Sequence, residues 1–530
     1  MRLRLGRYTA FAICIILFAL SLWRGWPIWL TVTAWSLVCV GIFDLLQSSH
    51  SILRNYPVIG HVRWLVEMIR PELRQYLFES DSEAAPFSRA QRSLVYQRAK
   101  DMAGEHPFGT LLDVYADDYE FIAHSTRPIE EPDWKSFRIN IGNDQCLQPY
   151  SASVFNISAM SFGSLSANAI RALNRGAKLG NFYHDTGEGS ISPYHREMDG
   201  DLVWELGSGY FGCRDGEGRF DPERFAAQAT TPQVKMIEIK LSQGAKPGHG
   251  GVLPAAKVTS EISTTRGVTM GRDCISPACH SAFSTPREMM AFITELRRLS
   301  GGKPVGFKLC IGHPWEFMGI VKAMLETGVV PDFIVVDGGE GGTGAAPAEF
   351  SDHIGMPMRE GLLFVRNVLV GAGLKSKIRI GAAGKITSAF DIVSVLALGA
   401  DWGNAARGYM FALGCIQSLS CHTNRCPTGV ATQDIWRQNA LVVPDKAERV
   451  RNFHDNTLMA LADMLAAAGI AHPDGLGPQH LHRRISTTEV YQVSELYTFL
   501  KPGQLVDGTC EDGFYAKNWE LARGDSFDLA

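Results

Sequence analysis

Three cysteines, Cys415, Cys421 and Cys426, fall within the stretch GCIQSLSCHTNRCPTG, Gly414 to Gly429. Their spacing is Cys-x5-Cys-x4-Cys, and a proline follows the last one directly. Thiols this close point to a metal site or a redox centre. Zinc takes four ligands, and His422 could complete a Cys3His set. His422 is adjacent to Cys421, however, so the two side chains diverge unless the loop folds sharply. Thiolates along an irregular loop that ends in Cys-Pro also suit an iron–sulfur cluster. Three of them match a cube with one corner iron missing. Reduced structural thiols are the third reading.

Such a loop must be held by a scaffold, and from about residue 150 the pattern is strand then helix, repeatedly. Apolar strands are expected at Phe155–Met160, Met236–Leu241, Val305–Cys310, Phe333–Asp337 and Ile378–Gly381. Helical periodicity follows at Leu165–Leu179, Arg287–Leu299, Trp315–Glu326, Arg359–Val370 and Ala389–Leu398. Alternation of this kind gives a parallel sheet covered by helices. Residues 150–425 suit a (β/α)8 barrel, which takes about 250 residues; a doubly wound open sheet is the rival. Most strands run into polar or Gly-rich turns: SAMSFGS, HDTGEGS, SQGAKPGHGG, DGGEGGTGA, GAAGK and GNAARG. In a barrel these turns gather at one rim. The last two follow the seventh and eighth strands, where barrels commonly bind phosphate through backbone N–H groups. A phosphorylated cofactor is therefore expected.

The chain has 530 residues, 45% hydrophobic and 20% charged, which suits two or three domains. A net charge of −4 gives no sign of a nucleic-acid partner. The 11 cysteines are odd in number and scattered apart from the one cluster, a poor disulfide framework that favours a reducing compartment.

The first fifty residues stand apart. Nearly uncharged runs cover Tyr8 to Trp23 and Ile28 to Leu46, the second interrupted only by Asp44. A bilayer core needs about 20 apolar residues per helix. The expectation is a transmembrane hairpin over 1–50; a signal peptide, since Ala19-Leu20-Ser21 resembles a cleavage site, and a buried soluble hairpin are the alternatives. Trp23, Trp26 and Trp29 cluster at the turn, as interfacial aromatics do. Arg2, Arg4 and Arg7 precede the first run, and Arg54, Arg63 and Arg70 follow the second, with Arg24 alone in the turn. That asymmetry places both ends in the cytoplasm and the anchor in the inner, cytoplasmic membrane. Residues 51–145 read as a helical adaptor region, 146–435 as the barrel with its cysteine loop, and 436–530 as a helical extension.

The motifs MSFGSLS, DTGEGS, IEIKLSQGAKPG, ISPACH, DGGEGGTGAAP and GCIQSLSCHTNRCPTGVATQD, in this order, resemble the synthase domain of the glutamate synthases. The resemblance covers about 150–435. It implies an FMN-binding barrel and a [3Fe-4S] cluster on Cys415, Cys421 and Cys426. It also implies an oxidoreductase in which ammonia or an amine condenses with 2-oxoglutarate and the imine is reduced to glutamate or an N-substituted glutamate. The chain departs from the family pattern. His249 stands where a glutamate is usual, and the N-terminal glutaminase domain and long C-terminal β-helix have no counterpart. The redox half is thus implied with a separate electron donor, a ferredoxin or a reductase, and a separate glutaminase. A membrane-linked flavoprotein oxidising another hydroxy or amino acid, or a non-catalytic electron relay, are the alternatives.

For that chemistry the residues divide as follows. Lys240, Gln243 and Lys246, on one strand and its loop, are expected to hold the substrate carboxylates, with His280 either orienting substrate or packed in the core. Glu188 is the expected proton-handling group. Lys308, mid-strand among apolar residues, is expected to face the flavin. Met160 and Ser161 should lie against it, with Asp337, Gly338 and Gly339 ending the sixth strand and Gly384, Lys385, Ala406 and Arg407 holding the phosphate. Arg407 suits that task because its planar fork donates to two oxygens at once.

Overall fold

The computed structural model describes residues 6–82, 85–102, 104 and 107–529. The chain forms two compact units that divide between Ala90 and Gln91.

The first unit opens with two apolar helices, Thr9–Arg24 and Ile28–Leu46, packed on each other. The turn between them needs a left-handed residue, supplied by Gly25 at φ 60°, and Pro27 fixes the entry to the second helix. Both helices are long and apolar enough to cross a membrane. Shorter helices follow at Ser51–Asn55 and Gly60–Leu73, the latter continuing into a π-helical turn, Arg74–Phe78.

The second unit is built on a closed barrel of eight parallel strands. They are β1 (Phe155–Ile157), β2 (His184–Asp185), β3 (Leu202–Leu206), β4 (Val234–Lys240), β5 (Val305–Leu309), β6 (Phe333–Asp337), β7 (Arg379–Ala383) and β8 (Trp402–Ala405). Closure joins β8 to β1, from Gly403 opposite Phe155 to Ala405 opposite Ile157. The expected barrel is thus the fold, and the open sheet is excluded. The expected helices are present at Ala167–Gly180, Pro286–Leu299, Pro314–Thr327, Met358–Gly371 and Ala389–Ala397. Their starts are fixed locally. Ser166 accepts from the Ala169 N–H, and Thr285 with Glu288 and Ser388 with Asp391 form capping boxes.

A β-hairpin, Arg138–Ile141 with Tyr150–Ser153, precedes β1. Its turn is fastened to the barrel where β5 begins. Asp332, fully buried, accepts from the N–H groups of Asn143 and Val305 and from Arg297. Beyond the cysteine loop, the long helix Val443–Ala468 packs along Ala167–Gly180. Gly176 permits the approach, because a Cβ there would overlap Val450.

Two stretches differ from the expected all-helical character. Within 51–145 the α-helices stop at Ala99, and the described residues beyond it are irregular chain with short strands and one 3-10 turn, Trp134–Ser136. Within 436–530 the strands Leu481–Arg484 and Val490–Gln492 pair with each other and with Glu120–Ile122. The strand Val490–Gln492 holds a β-branched and an aromatic residue, which suit a strand edge better than a helix.

Candidate active site

Inward-facing charge fills the middle of the barrel. Glu205 on β3 and Glu238 on β4 are register neighbours, and Lys308 on β5 reaches both: it is ion-paired with Glu205 and lies 3.3 Å from Glu238. Asp185 on β2 completes the group. Among the described residues, Asp185, Glu205 and Glu238 are the one trio of potential metal ligands whose atoms all lie within 4.8 Å of one another. All are buried, and one lysine cannot neutralise three carboxylates in such a place. Burial and the neighbouring Glu205 push the Asp185 carboxyl up to about 7, against the pull of Lys308. Burial drives Glu238 well above the usual carboxylate range, despite Lys308. Burial alone would lower Lys308, but Glu205, Glu238 and Asp185 hold it protonated. The barrel interior therefore stores at least one proton at neutral pH.

Above this layer, at the C-terminal ends of the strands, Lys240 lies 2.9 Å from Glu188 and donates to the Gln243 amide oxygen at 2.7 Å. Burial would raise Glu188, but Lys240, then Arg266 and Lys246, hold it below its ordinary range. These cations thus favour the ionised form of Glu188. Its place in the fold requires small neighbours: a Cβ on Gly207 or Gly251 would overlap its carboxylate. A cavity of about 20 Å³, lined by Glu188, Ser208, Lys240, Gln243, His249 and Gly251 among others, marks the site. That is room for one water. A larger open cavity of about 510 Å³, between Arg214, Ser263 and Arg272, shares none of these residues.

The other expected substrate contacts divide. Lys246 is 2% exposed and its ammonium donates to the Ala345 carbonyl at 3.2 Å. His280 is a core histidine: its Nε2–H donates to the Lys240 carbonyl at 2.8 Å, which leaves Nδ1 to accept from the Tyr210 hydroxyl at 2.9 Å. Both nitrogens are committed to the protein, so His280 positions β4 and has no atom left for a substrate.

The turns after β6, β7 and β8 lie close together. Asp337 accepts from the Gly244 N–H at 2.7 Å, and a Cβ on Gly244 would overlap the Gly338 carbonyl. Gly339 follows, its N–H bonded to the Met356 carbonyl. Glu340 accepts from the Met358 N–H at the start of helix Met358–Gly371, and lies against Gly338 and Gly384. Arg407 donates to the Glu340 carbonyl at 3.1 Å, and Lys385 takes the left-handed conformation at φ 52°. Lys385 and Arg407 both feel the Glu340 carboxylate. A carboxylate thus already occupies an anion site made of a helix N-terminus and two cations, and this donor set fits a phosphate. Met160 and Ser161 end the first strand's turn, Ser161 accepting from Arg266 at 3.3 Å. Ala406 opens the last helix of the barrel, Arg407–Leu413.

The cysteine loop follows that helix. Burial pushes the Cys415 thiol up to about 12 and raises Cys421. Burial would also raise Cys426, but Thr428 and the N–H groups of Ala431, Thr428 and Val430 hold it below the ordinary thiol range. That is a nest for a thiolate. The three sulfurs do not all fall within 4.8 Å of one another, wider than the ~3.8 Å edge that four bonds to one zinc would set. Lys257, lowered to about 8 by burial, is held partly up by Cys421 and Cys426.

Glu205, Asp185, Glu340, Arg266 and Lys257 were not singled out by sequence. Glu205 carries the same signal as Lys308, a charge inside an apolar strand. Asp185 opens the DTGEGS motif from which only Glu188 was taken.

A closed parallel barrel with Gly-rich rim loops and a three-thiol loop defines the class, and comparison with known proteins gives the family. Residues 120–471 match the conserved region in glutamate synthase. The chain is 38% identical over 494 residues, 86% of its length and 94% of the relative's, to the glutamate synthase large subunit-like protein YerD of Bacillus subtilis. It is 34% identical over 315 residues to an archaeal-type glutamate synthase [NADPH] of Thermotoga neapolitana, covering 59% of this chain and 58% of that one. A mutant flavocytochrome b2 shows a loose likeness, with TM-score 0.42 at 12% identity over 85% of this chain and 91% of its own. The chain belongs to the glutamate synthase family of oxidoreductases.

Proposed function

We propose that this protein is an FMN and iron–sulfur oxidoreductase, anchored in the cytoplasmic membrane with its barrel in the cytoplasm. It reduces the imine of 2-oxoglutarate and ammonia or an amine to glutamate or an N-substituted glutamate. The observation that carries the reading is the stacking of two charge layers at the barrel mouth. Lys240, Gln243 and Lys246 supply donors for two carboxylates, with Glu188 as the fixed countercharge that keeps Lys240 ionised and in place. Beneath them the Asp185, Glu205, Glu238 and Lys308 group holds an exchangeable proton. FMN, when bound, supplies hydride chemistry, and a [3Fe-4S] cluster on Cys415, Cys421 and Cys426 supplies one-electron transfer from a separate ferredoxin or reductase. Gly338, Gly339, Gly384, Lys385, Ala406 and Arg407 are the residues that would hold the cofactor phosphate, displacing the Glu340 carboxylate. Lys308, in the lower layer, is the residue we assign to the side of the ring system facing the barrel interior. Proton delivery falls to Asp185 and Glu238 rather than to Glu188.

The test is titration of the oxidised flavin spectrum of the purified protein with 2-oxoglutarate, followed by assay of glutamate formation with ammonia and an artificial reductant. Spectral saturation at millimolar concentration or below supports the reading. No binding at those concentrations rejects the substrate assignment and moves the reading to oxidation of another hydroxy or amino acid.

A further inference from the structure

Helix Gly60–Leu73 has an apolar face that nothing in its own unit covers. Val62, Leu65, Val66, Ile69 and Leu73 recur at three- and four-residue steps, so they share one face, while Arg63, Arg70 and Arg74 line its flank, about a quarter turn away. In a globular protein such a face packs on a core. Here Val62 is 55%, Leu65 54% and Ile69 41% exposed, and the π-helical turn exposes Tyr76, Leu77 and Phe78 as well. A continuous apolar face of this size marks a contact surface.

The way its first turn is tied down says what it contacts. Asp44, two residues before the end of helix Ile28–Leu46, is fully buried. It accepts from the Val58 N–H at 2.9 Å and from His61 Nε2 at 2.9 Å. The His50 ring meets Trp64 edge-on at 5.4 Å between centroids. These ties hold the start of the amphipathic helix level with the end of the second apolar helix. If the hairpin spans a bilayer, that level is the lipid headgroup region. Charge agrees: Arg54, Arg63, Arg70 and Arg74 outnumber Glu67 and Glu72, as on helices that lie on anionic bilayers.

We infer that Gly60–Leu73 and Arg74–Phe78 form an interfacial helix, lying in the membrane plane with its apolar face among the acyl chains and its arginines beside anionic headgroups. The inference rests on the transmembrane reading of the hairpin. It makes the membrane contact three elements wide, two crossing and one lying flat.

The test uses the full chain carrying the photoreactive residue p-benzoylphenylalanine in place of Leu65, Ile69, Arg63 or Ile16. Each variant is reconstituted in vesicles of phosphatidylcholine and phosphatidylglycerol, illuminated and analysed for adducts by mass. Phospholipid adducts are expected at Leu65, Ile69 and Ile16, with a several-fold lower yield at Arg63. Adducts at Ile16 without adducts at Leu65 and Ile69 would overturn the interfacial helix and leave the hairpin standing. Protein adducts at Leu65 and Ile69, including adducts to a second copy of this chain, would overturn it too. Absence of lipid adducts at all four positions would sink both the helix and the hairpin. Two probes on the apolar face guard against one variant failing to fold.

Discussion

The Lys240 ammonium lies 2.9 Å from the Glu188 carboxylate, and this pair sets the electrostatics of the barrel mouth. Both side chains are largely buried, so each is the other's main counter-ion. Lys240→Met and Glu188→Gln should each destabilise the protein, and the double variant should lose less than the sum. A coupling of about 0.5–3 kcal/mol is expected for contacting residues. Chemical denaturation of the four proteins measures it; additive losses would mean that the pair is not coupled.

Removing Lys308 leaves three buried carboxylates without a cation. Lys308→Met should cost about 3–5 kcal/mol, the usual result of breaking a buried pair from one side. Combining it with Glu205→Gln should recover part of that loss. The comparison is again by denaturation midpoint.

Two buried groups make stability depend on pH in opposite senses. His184 has no partner at either nitrogen, and burial lowers it to about 3; burial also holds its neighbour His195, 5.2 Å away between ring centroids, well below its ordinary value. Unfolding lets both protonate. Their contribution is therefore present above the unfolded histidine value of about 6.5 and is lost as pH falls, at up to ~1.4 kcal/mol per pH unit for each. Asp185, raised to about 7, acts the other way. Its contribution is full below the unfolded value of about 3.9 and is lost as pH rises through 7. Between about pH 4 and 6.5 the two effects oppose each other. Above that only the carboxylate effect remains, extended by Glu238. Asp185→Asn should flatten the loss on the alkaline side and expose a steeper loss on the acid side. Denaturation from pH 5 to 8 would show it.

Arg407 and Glu340 should have opposite effects on flavin retention. Arg407→Ala should weaken FMN binding by the apo-protein roughly 10- to 150-fold, the equivalent of one hydrogen bond to a charged group. Glu340→Gln should tighten it, because the Glu340 carboxylate holds the anion site that the phosphate needs. Quenching of FMN fluorescence gives both constants.

Truncation should separate the membrane elements. A chain starting at Gln91, where the two units divide, should be soluble without detergent. One lacking only residues 1–50 keeps the amphipathic helix and should still sediment with anionic vesicles.

Much of this was legible in the sequence because the barrel announces itself through long apolar strands and Gly-rich turns. β2, β3 and β8 are not read from it: β2 and β8 have two and four residues with polar members and carry no period, and β3 sets Glu205 among its apolar residues. The short β2 also hid Asp185, and with it the buried proton. The charge environment of Glu188 is not legible in the sequence. Its partner Lys240 is 52 residues away, and only tertiary geometry shows that an ion pair lowers its affinity for protons. His280 was undecided for the same reason: its two partners, Tyr210 and the Lys240 carbonyl, come from other parts of the chain.

The seam between β1 and β8 carries a consequence for how the chain is made. About 250 residues separate Ile157 from Trp402, yet each strand is the other's neighbour. At 5–20 residues per second, a ribosome needs roughly 12–50 s to supply the second after the first. The helix Val443–Ala468, which packs on Ala167–Gly180, emerges later still. Through that interval the leading strand waits with an open edge. A chaperone shielding the unfinished edge is the circumstance for which this order of elements is suited.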